Sequence, residues 1–250
     1  MSTVPKCIYL SGAAWGCAFY IGCFKAFNKR YGRRKMKKVI LHGDSSGSLI
    51  ALGLILGNLR KIDKLYTEMA AKAEKNGVKF KMTKYLGIAL DKLLKDKNAY
   101  KKVNGRLRVG ISLYPDKYKV CDTFHSNEHL RHIIRCSSHV PLYTSYLGKV
   151  DGQTAIDGIF ASDVSKFPRT TLVIGMGITK NEFDIIANLN LKQCATPLTG
   201  RAYDKVKRDG YNKGMAWNGY ERRNLVFPLS VWWFLSFLER PFLKTNNKLI

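Results

Sequence analysis

The stretch from Val39 to Leu56, VILHGDSSGSLIALGLIL, constrains this chain more than any other. Val39–Leu41 is a short apolar, β-branched run of the kind a buried parallel strand makes. Ser48–Leu56 is apolar with small residues and reads as a buried helix. Between them Gly43-Asp44-Ser45-Ser46-Gly47 matches G-x-S-x-G. Strand, Gly-flanked turn and helix is the setting in which that motif makes a nucleophile elbow, a turn with little room for a Cβ. Ser45 is then a candidate nucleophile, its Oγ at the carboxyl end of a strand and the positive end of a helix dipole. Gly43 and Gly47 support the turn. A purely structural turn is the competing reading.

A similar unit comes just before it. Lys6–Leu10 (KCIYL) predicts a strand, Ser11-Gly12-Ala13-Ala14-Trp15-Gly16 a small-residue turn, and Cys17–Tyr31 a helix with Phe19, Tyr20, Cys23, Phe24 and Phe27 on a helical period. Gly32 is a natural stop. Two strand–turn–helix units in succession predict βαβ connections, hence an α/β fold with a mainly parallel sheet. Lys29–Lys38, KRYGRRKMKK, holds seven basic residues and no acid. It reads as a solvated loop at a helix end, with a nucleic-acid or nuclear-localisation patch as the alternative.

Arg60–Lys102 carries 13 basic and five acidic residues. Its pattern predicts two amphipathic helices, Ile62–Lys75 and Thr83–Leu94, divided at Asn76-Gly77. Leu107–Leu113 and Tyr118–Phe124 predict a hairpin closed by Tyr114-Pro115-Asp116-Lys117. Ser126–Cys136 predicts a helix with Ser126 as N-cap, stopped by Ser137-Ser138-His139-Val140-Pro141. Tyr146–Ile156 predicts two strands about Asp151-Gly152, running into Asp157-Gly158. Thr171–Met176 predicts a final buried strand, Arg201–Gly214 a polar helix, and Pro228–Leu238 an apolar helix bearing Trp232 and Trp233.

Charge narrows the choice of partner. Forty-three Lys and Arg against 18 Asp and Glu leave a net +25. Such a field attracts phosphate-bearing partners: nucleic acid, an anionic membrane surface or an anionic lipid. The six cysteines include no C-x-x-C pair and the N-terminal residues carry no signal-peptide pattern, so reduced thiols and a cytoplasmic setting are expected. The run Leu225–Leu238 has 14 residues and contains Pro228. As a helix it would span about 21 Å, short of the roughly 30 Å hydrocarbon core.

A serine hydroxyl needs a base. The five histidines are His42, His125, His129, His132 and His139. A triad in the order Ser, acid, His would have to pair Asp116 or Asp122 with a histidine of 125–139, all inside one hairpin and its helix, which is cramped. The other base is a carboxylate. Asp157 stands at the carboxyl end of an expected strand, where chemistry gathers in α/β sheets, although an Asp-Gly turn needs no such role. An oxyanion hole needs backbone N–H groups in a small-residue loop, which Gly12, Ala13 and Ala14 provide, although a tight strand-to-helix turn suits the same residues.

Taken together, Ser11–Gly16, Gly43–Gly47, Cys136–Pro141 and Asp157-Gly158 resemble the patatin-like phospholipase family in order and spacing, from about residue 6 to 163. LSGAAWGCAFYIG is similar, more narrowly, to the neutral-lipase and adiponutrin branch, with Trp15 where other members carry a basic residue. The resemblance implies a three-layer α-β-α fold and a Ser45–Asp157 dyad. It also implies an oxyanion loop at Gly12, Ala13 and Ala14, with Gly16 and Gly158 as supporting motif glycines. It implies hydrolysis of lipid ester bonds with no metal and no cofactor. One domain is expected over 1–250, with a catalytic core at 6–180, a basic helical insert at 60–102 and a C-terminal helical segment at 200–250. The expected partners are a lipid substrate and an anionic membrane or lipid-droplet surface, peripherally bound, rather than nucleic acid. The alternatives are an acyltransferase working through the same acyl-enzyme, and an inactive basic lipid- or nucleic-acid-binding protein on this scaffold.

Overall fold

Strand and helix alternate from the first residues described in the computed structural model, which covers residues 3–141, 143–176 and 183–220. The helix expected at 228–238 lies outside them. Strand β1 (Cys7–Leu10) passes through a 3-10 turn at Ala14–Cys17 into α1 (Ala18–Tyr31). Gly32 ends α1 at φ 81°, and its N–H reaches the Asn28 carbonyl. The basic stretch expected as a loop is largely helical instead. Gly32 interrupts α1, and a short α2 (Arg33–Met36) restarts at once, burying only Met36. Strand β2 (Ile40–Asp44) and helix α3 (Ser46–Leu56) follow. No residue of α3 is exposed, as its apolar character on every side requires.

Helices α4 (Leu59–Asn76), α5 (Met82–Leu93) and α6 (Ala99–Val103) come next. Asn58 caps α4 by accepting the Lys61 N–H at 3.0 Å. These helices turn Ile62, Tyr66, Met69, Ala70, Ala73, Tyr85 and Leu90 into the main core. Residues 60–102 therefore pack as part of the helical layer. Their lysines take the outer face.

Strands β3 (Leu107–Leu113) and β4 (Lys117–Cys121) form the expected hairpin. Helix α7 (Asn127–Ser137) begins at Ser126, whose hydroxyl accepts the His129 N–H. Strands β5 (Gly148–Val150) and β6 (Gln153–Asp157) turn at Asp151 and Gly152, both at positive φ. Two 3-10 turns, Gly158–Phe160 and Val164–Lys166, lead to β7 (Thr171–Met176). Thr171–Met176 is not the last strand. A three-residue β8 (Ile185–Ala187) follows, too short for any periodicity to mark it. Helices α8 (Leu191–Ala195) and α9 (Gly200–Ala216) complete the described chain.

The sheet is mainly parallel. β1 lies between β2 and β7, β3 pairs with β2, and β8 pairs with β7, all parallel. β4, β5 and β6 supply an antiparallel end. The main core fills the space between one face and the helices. On the other face Tyr9, Val164, Val173 and Phe183 form a smaller cluster with Phe167 and Ile186. This is an α/β fold with a central, mainly parallel sheet flanked by helices.

Register brings two strand ends together. Along β3, Gly110 pairs with Asp44 and Ile111 with Asp157. β4 occupies the opposite edge over Val109–Leu113. A strand has only two edges, so β2 and β6 share one and meet end to end from opposite directions. Their carboxyl ends, Asp44-Ser45 and Asp157, are thereby neighbours although far apart in sequence.

Candidate active site

Ser45 stands between β2 and α3 at φ 54°, ψ −129°, a backbone conformation that costs a non-glycine residue of order 1–3 kcal/mol. The surrounding structure holds it there. Its N–H donates to Ser137 Oγ at 2.9 Å, and that hydroxyl donates to the Gly110 carbonyl at 2.7 Å. The Ser48 hydroxyl donates to the Ser45 carbonyl at 2.6 Å. The motif glycines are needed for close approach. A Cβ on Gly47 would fall 2.2 Å from the Leu10 carbonyl oxygen, and one on Gly43 would fall 2.5 Å from the Gly47 backbone.

Asp157 faces this serine from the end of β6 and is 1% exposed. Its N–H donates to the His139 carbonyl at 2.8 Å, and its Oδ1 accepts the Ile159 N–H at 3.0 Å. Burial pushes the Asp157 carboxyl up to about 7, against pulls from the Ser45 hydroxyl and the Ile159 N–H, with further push from Asp44. The Ser45 hydroxyl thus opposes the rise without cancelling it, and the carboxylate is made far more basic than an ordinary one. Gly158 makes the junction possible: a Cβ there would sit 2.4 Å from the Gly110 carbonyl oxygen and 2.8 Å from Asp44 Cγ.

The small-residue loop arches over the same point. Its start is fixed by the Ser11 N–H to the Ile174 carbonyl at 3.0 Å. A Cβ on Gly12 would approach Ser45 Cβ to 3.1 Å, so the loop passes directly beside the serine. Ala13 departs from the expectation. Its N–H donates to Ser46 Oγ at 3.1 Å, because the hydroxyl of the residue after Ser45 anchors the loop. The Gly12 and Ala14 N–H groups have no protein acceptor among the described residues. Ala14 is itself at φ 43°. Gly16 packs beside Cys194, Leu189 and Met176, and the Trp15 carbonyl accepts from the Tyr66 hydroxyl at 2.7 Å.

Behind the elbow lies a polar cluster that sequence reasoning missed. Asp44 is fully buried and accepts from the Tyr9 hydroxyl at 2.6 Å and the Tyr118 hydroxyl at 2.7 Å. Burial raises its carboxyl to about 6 while the hydroxyls of Tyr9, Tyr118 and Ser162 oppose that rise. His42, expected at a strand end, is buried within β2 and lies 3.0 Å from the Tyr118 hydroxyl. Burial, then Arg108, pushes its imidazole down to about 3, so it stays neutral. The prior signal was an acid at a buried motif position, with a histidine two residues before it on the same strand.

The histidines are otherwise engaged. His132 contacts the Tyr146 hydroxyl and the Lys149 carbonyl, His139 contacts Thr144, and His125 stacks on His129. Among the described residues no histidine hydrogen-bonds Ser45. All six cysteines are free. No described helix is long and apolar enough to cross a membrane.

No family model matches this chain, and no curated protein does. Solved structures similar to it include VipD from Legionella pneumophila, with a TM-score of 0.47 at 11% identity over 86% of this chain and 67% of that one. The heterodimeric ExoU–SpcU complex from the type III secretion system of Pseudomonas aeruginosa gives 0.43 at 12% identity, over 90% of this chain and 54% of that one. The type III effector protein ExoU gives 0.40 at 12%, over 85% and 52%. The chain thus spans two thirds of VipD and about half of ExoU. Nothing found supports the narrower neutral-lipase and adiponutrin branch. At this distance the chemistry has to be read from the site itself.

Proposed function

We propose that this chain is a serine acyl hydrolase of the patatin-like kind, cleaving carboxylic esters of phospholipids or glycerolipids. The observation that carries it is the end-to-end meeting of β2 and β6, which supports a dyad of Ser45 and Asp157 beneath the Gly12–Ala14 loop.

Asp157 accepts the Ser45 proton as Oγ bonds to the ester carbonyl carbon. A carboxylate titrating near 7 is basic enough to help and is still largely ionised slightly above neutrality. The negative charge that develops on the carbonyl oxygen meets the N–H groups of Gly12 and Ala14, next to the amino end of α3; one such donor is generally worth about 3 kcal/mol of barrier. Collapse breaks the ester C–O bond, and the departing alcohol takes the proton from Asp157. Water then attacks the acyl-Ser45 carbonyl, gives its proton to Asp157, and releases the fatty acid as the proton returns to Ser45 Oγ. The lipid nature of the acyl donor is supported by the resemblance of the four sequence blocks and by the net charge of +25.

A fluorophosphonate probe should label the wild-type chain at Ser45 and leave Ser45→Ala unlabelled. In a lipid-panel assay, Ser45→Ala and Asp157→Asn should each lose at least about a thousandfold in turnover while keeping the wild-type circular-dichroism spectrum. Near-wild-type hydrolysis by either variant would overturn the dyad.

A further inference from the structure

Three of the large apolar side chains that the fold leaves exposed belong to one locality. Phe80 is 50% exposed, Leu147 66% and Leu191 62%. Two hydrogen bonds tie their segments together. The Ser145 N–H donates to Thr83 Oγ1 at 2.9 Å, and the Tyr143 hydroxyl donates to the Ala195 carbonyl at 2.9 Å. Phe80 is three residues from the first joint, Leu147 two residues from it, and Leu191 about one helical turn from the second.

These joints surround the oxyanion loop. Tyr85, two residues past Thr83, packs edge-on against Trp15 with ring centroids 6.3 Å apart. Cys194, next to Ala195, lies against Gly16. The three segments that carry the apolar tips thus form a rim tied to the turn that follows β1, the turn whose Gly12 lies beside Ser45.

Phe80 also sits where a phenylalanine is costly. The Lys81 N–H closes a turn onto the Val78 carbonyl at 2.9 Å, and Phe80 occupies its left-handed position at φ 57°. Glycine fits such a position and a bulky ring does not. The ring projects from the tip of the turn at the expense of backbone strain. Lys75, Lys79, Lys81 and Lys84 on the same segment, and Lys192 next to Leu191, are exposed; Lys79 lies 5.5 Å from the centre of the Phe80 ring, and Glu74 accepts the Thr199 hydroxyl at 2.6 Å.

Accepting the site as a lipid hydrolase, we infer that this rim docks the enzyme on an anionic phospholipid bilayer, with Phe80, Leu147 and Leu191 entering the headgroup layer and the surrounding lysines meeting anionic headgroups. Separate apolar tips ringed by cations match the boundary between headgroups and acyl chains. A protein partner would need a broad continuous face instead. The geometry also aims the catalytic end of the sheet at the layer that holds the ester bonds.

The test uses Ser45→Ala protein, so that vesicle binding is read without turnover. It should co-sediment with phosphatidylcholine vesicles containing phosphatidylserine, lose that binding with added salt, and bind pure phosphatidylcholine vesicles weakly. Phe80→Gly, Leu147→Ser and Leu191→Ser together should lower partitioning at least about tenfold. The same three changes in the otherwise wild-type chain should leave hydrolysis of a water-soluble, monomeric ester unchanged. Phe80→Gly alone, which relieves the strained turn, should lower partitioning without lowering the melting temperature, so a folding defect cannot mimic the result. Wild-type partitioning by the triple variant, or binding indifferent to salt and lipid charge, would overturn the docking surface. Absence of soluble-ester hydrolysis in the wild type would overturn the hydrolase reading separately.

Discussion

Asp157 and Asp44 are two buried carboxyls at the meeting ends of β6 and β2, and the fold holds both above their ordinary value of 3.8, mainly through burial. For Asp157 the rise to about 7 amounts to on the order of 4 kcal/mol of native-state cost once both states are ionised. The sign follows from proton uptake. Between about pH 4 and 7 the unfolded chain has given up protons that the folded chain keeps, so stability falls as pH rises through this window. Asp157→Asn removes the charge and keeps the shape. It should raise the melting temperature at pH 8, flatten the loss of stability between pH 4 and 7, and abolish turnover; a thermal melt, chemical denaturation across pH and an ester-hydrolysis assay check these in turn. Wild-type turnover should itself climb through an apparent pKa near 7. The tight turns that carry Ser45 and Asp157 were legible because Gly43, Gly47 and Gly158 mark close approaches. Asp44, Tyr9, Tyr118, Ser137 and Ser46 were not, because each alone passes for an ordinary strand, turn or helix residue. Only the registers of β1, β2, β3, β4 and β6 bring these strands' residues together.

Among the elements, the pairing of α1 with α9 was the least visible in advance. Arg201–Gly214 reads as a polar helix, yet it lies so close to α1 that a Cβ on Gly210 would fall 2.1 Å from the Phe19 carbonyl oxygen. One on Gly22 would fall 2.0 Å from that of Lys207. Glycine here serves backbone contact, and the interior glycines that lower helix propensity in solution are what allow it. Gly210→Leu should therefore destabilise by about 1–3 kcal/mol or force the helices apart, whereas Ala202→Leu, at an exposed site on the same helix, should be nearly neutral; urea titrations of both variants check the contrast. The long periodic elements were readable: β1, α1, the elbow unit, the β3–β4 hairpin and α7 lie within a few residues of where apolar spacing and capping put them. The short ones were not. β8, α6 and α8 span three to five residues each, less than two periods of any helical pattern.

On the scale of the whole molecule, the +25 charge is carried largely by the outer faces of helices whose inner faces build the core. Solvated surface and steering field are thus the same residues, and association with any phosphate-rich surface should weaken steeply with ionic strength. Chain order and sheet order also diverge. The first strand of the described residues, β1, sits in the middle of the parallel sheet, with β2 on one edge and β7 on the other. A nascent chain halted near residue 170 would already contain Ser45, Asp157 and the whole Gly12–Ala14 loop. It would lack Ile174, whose carbonyl fixes the start of that loop, and β1 would present a bare hydrogen-bonding edge. A fragment ending there should neither label with a fluorophosphonate nor resist proteolysis, and adding residues 171–220 should restore both. Ser45, Asp157 and the Gly12–Ala14 loop all leave the ribosome before the strand that sets them in place, so labelling at this site should appear only after β7 has been made.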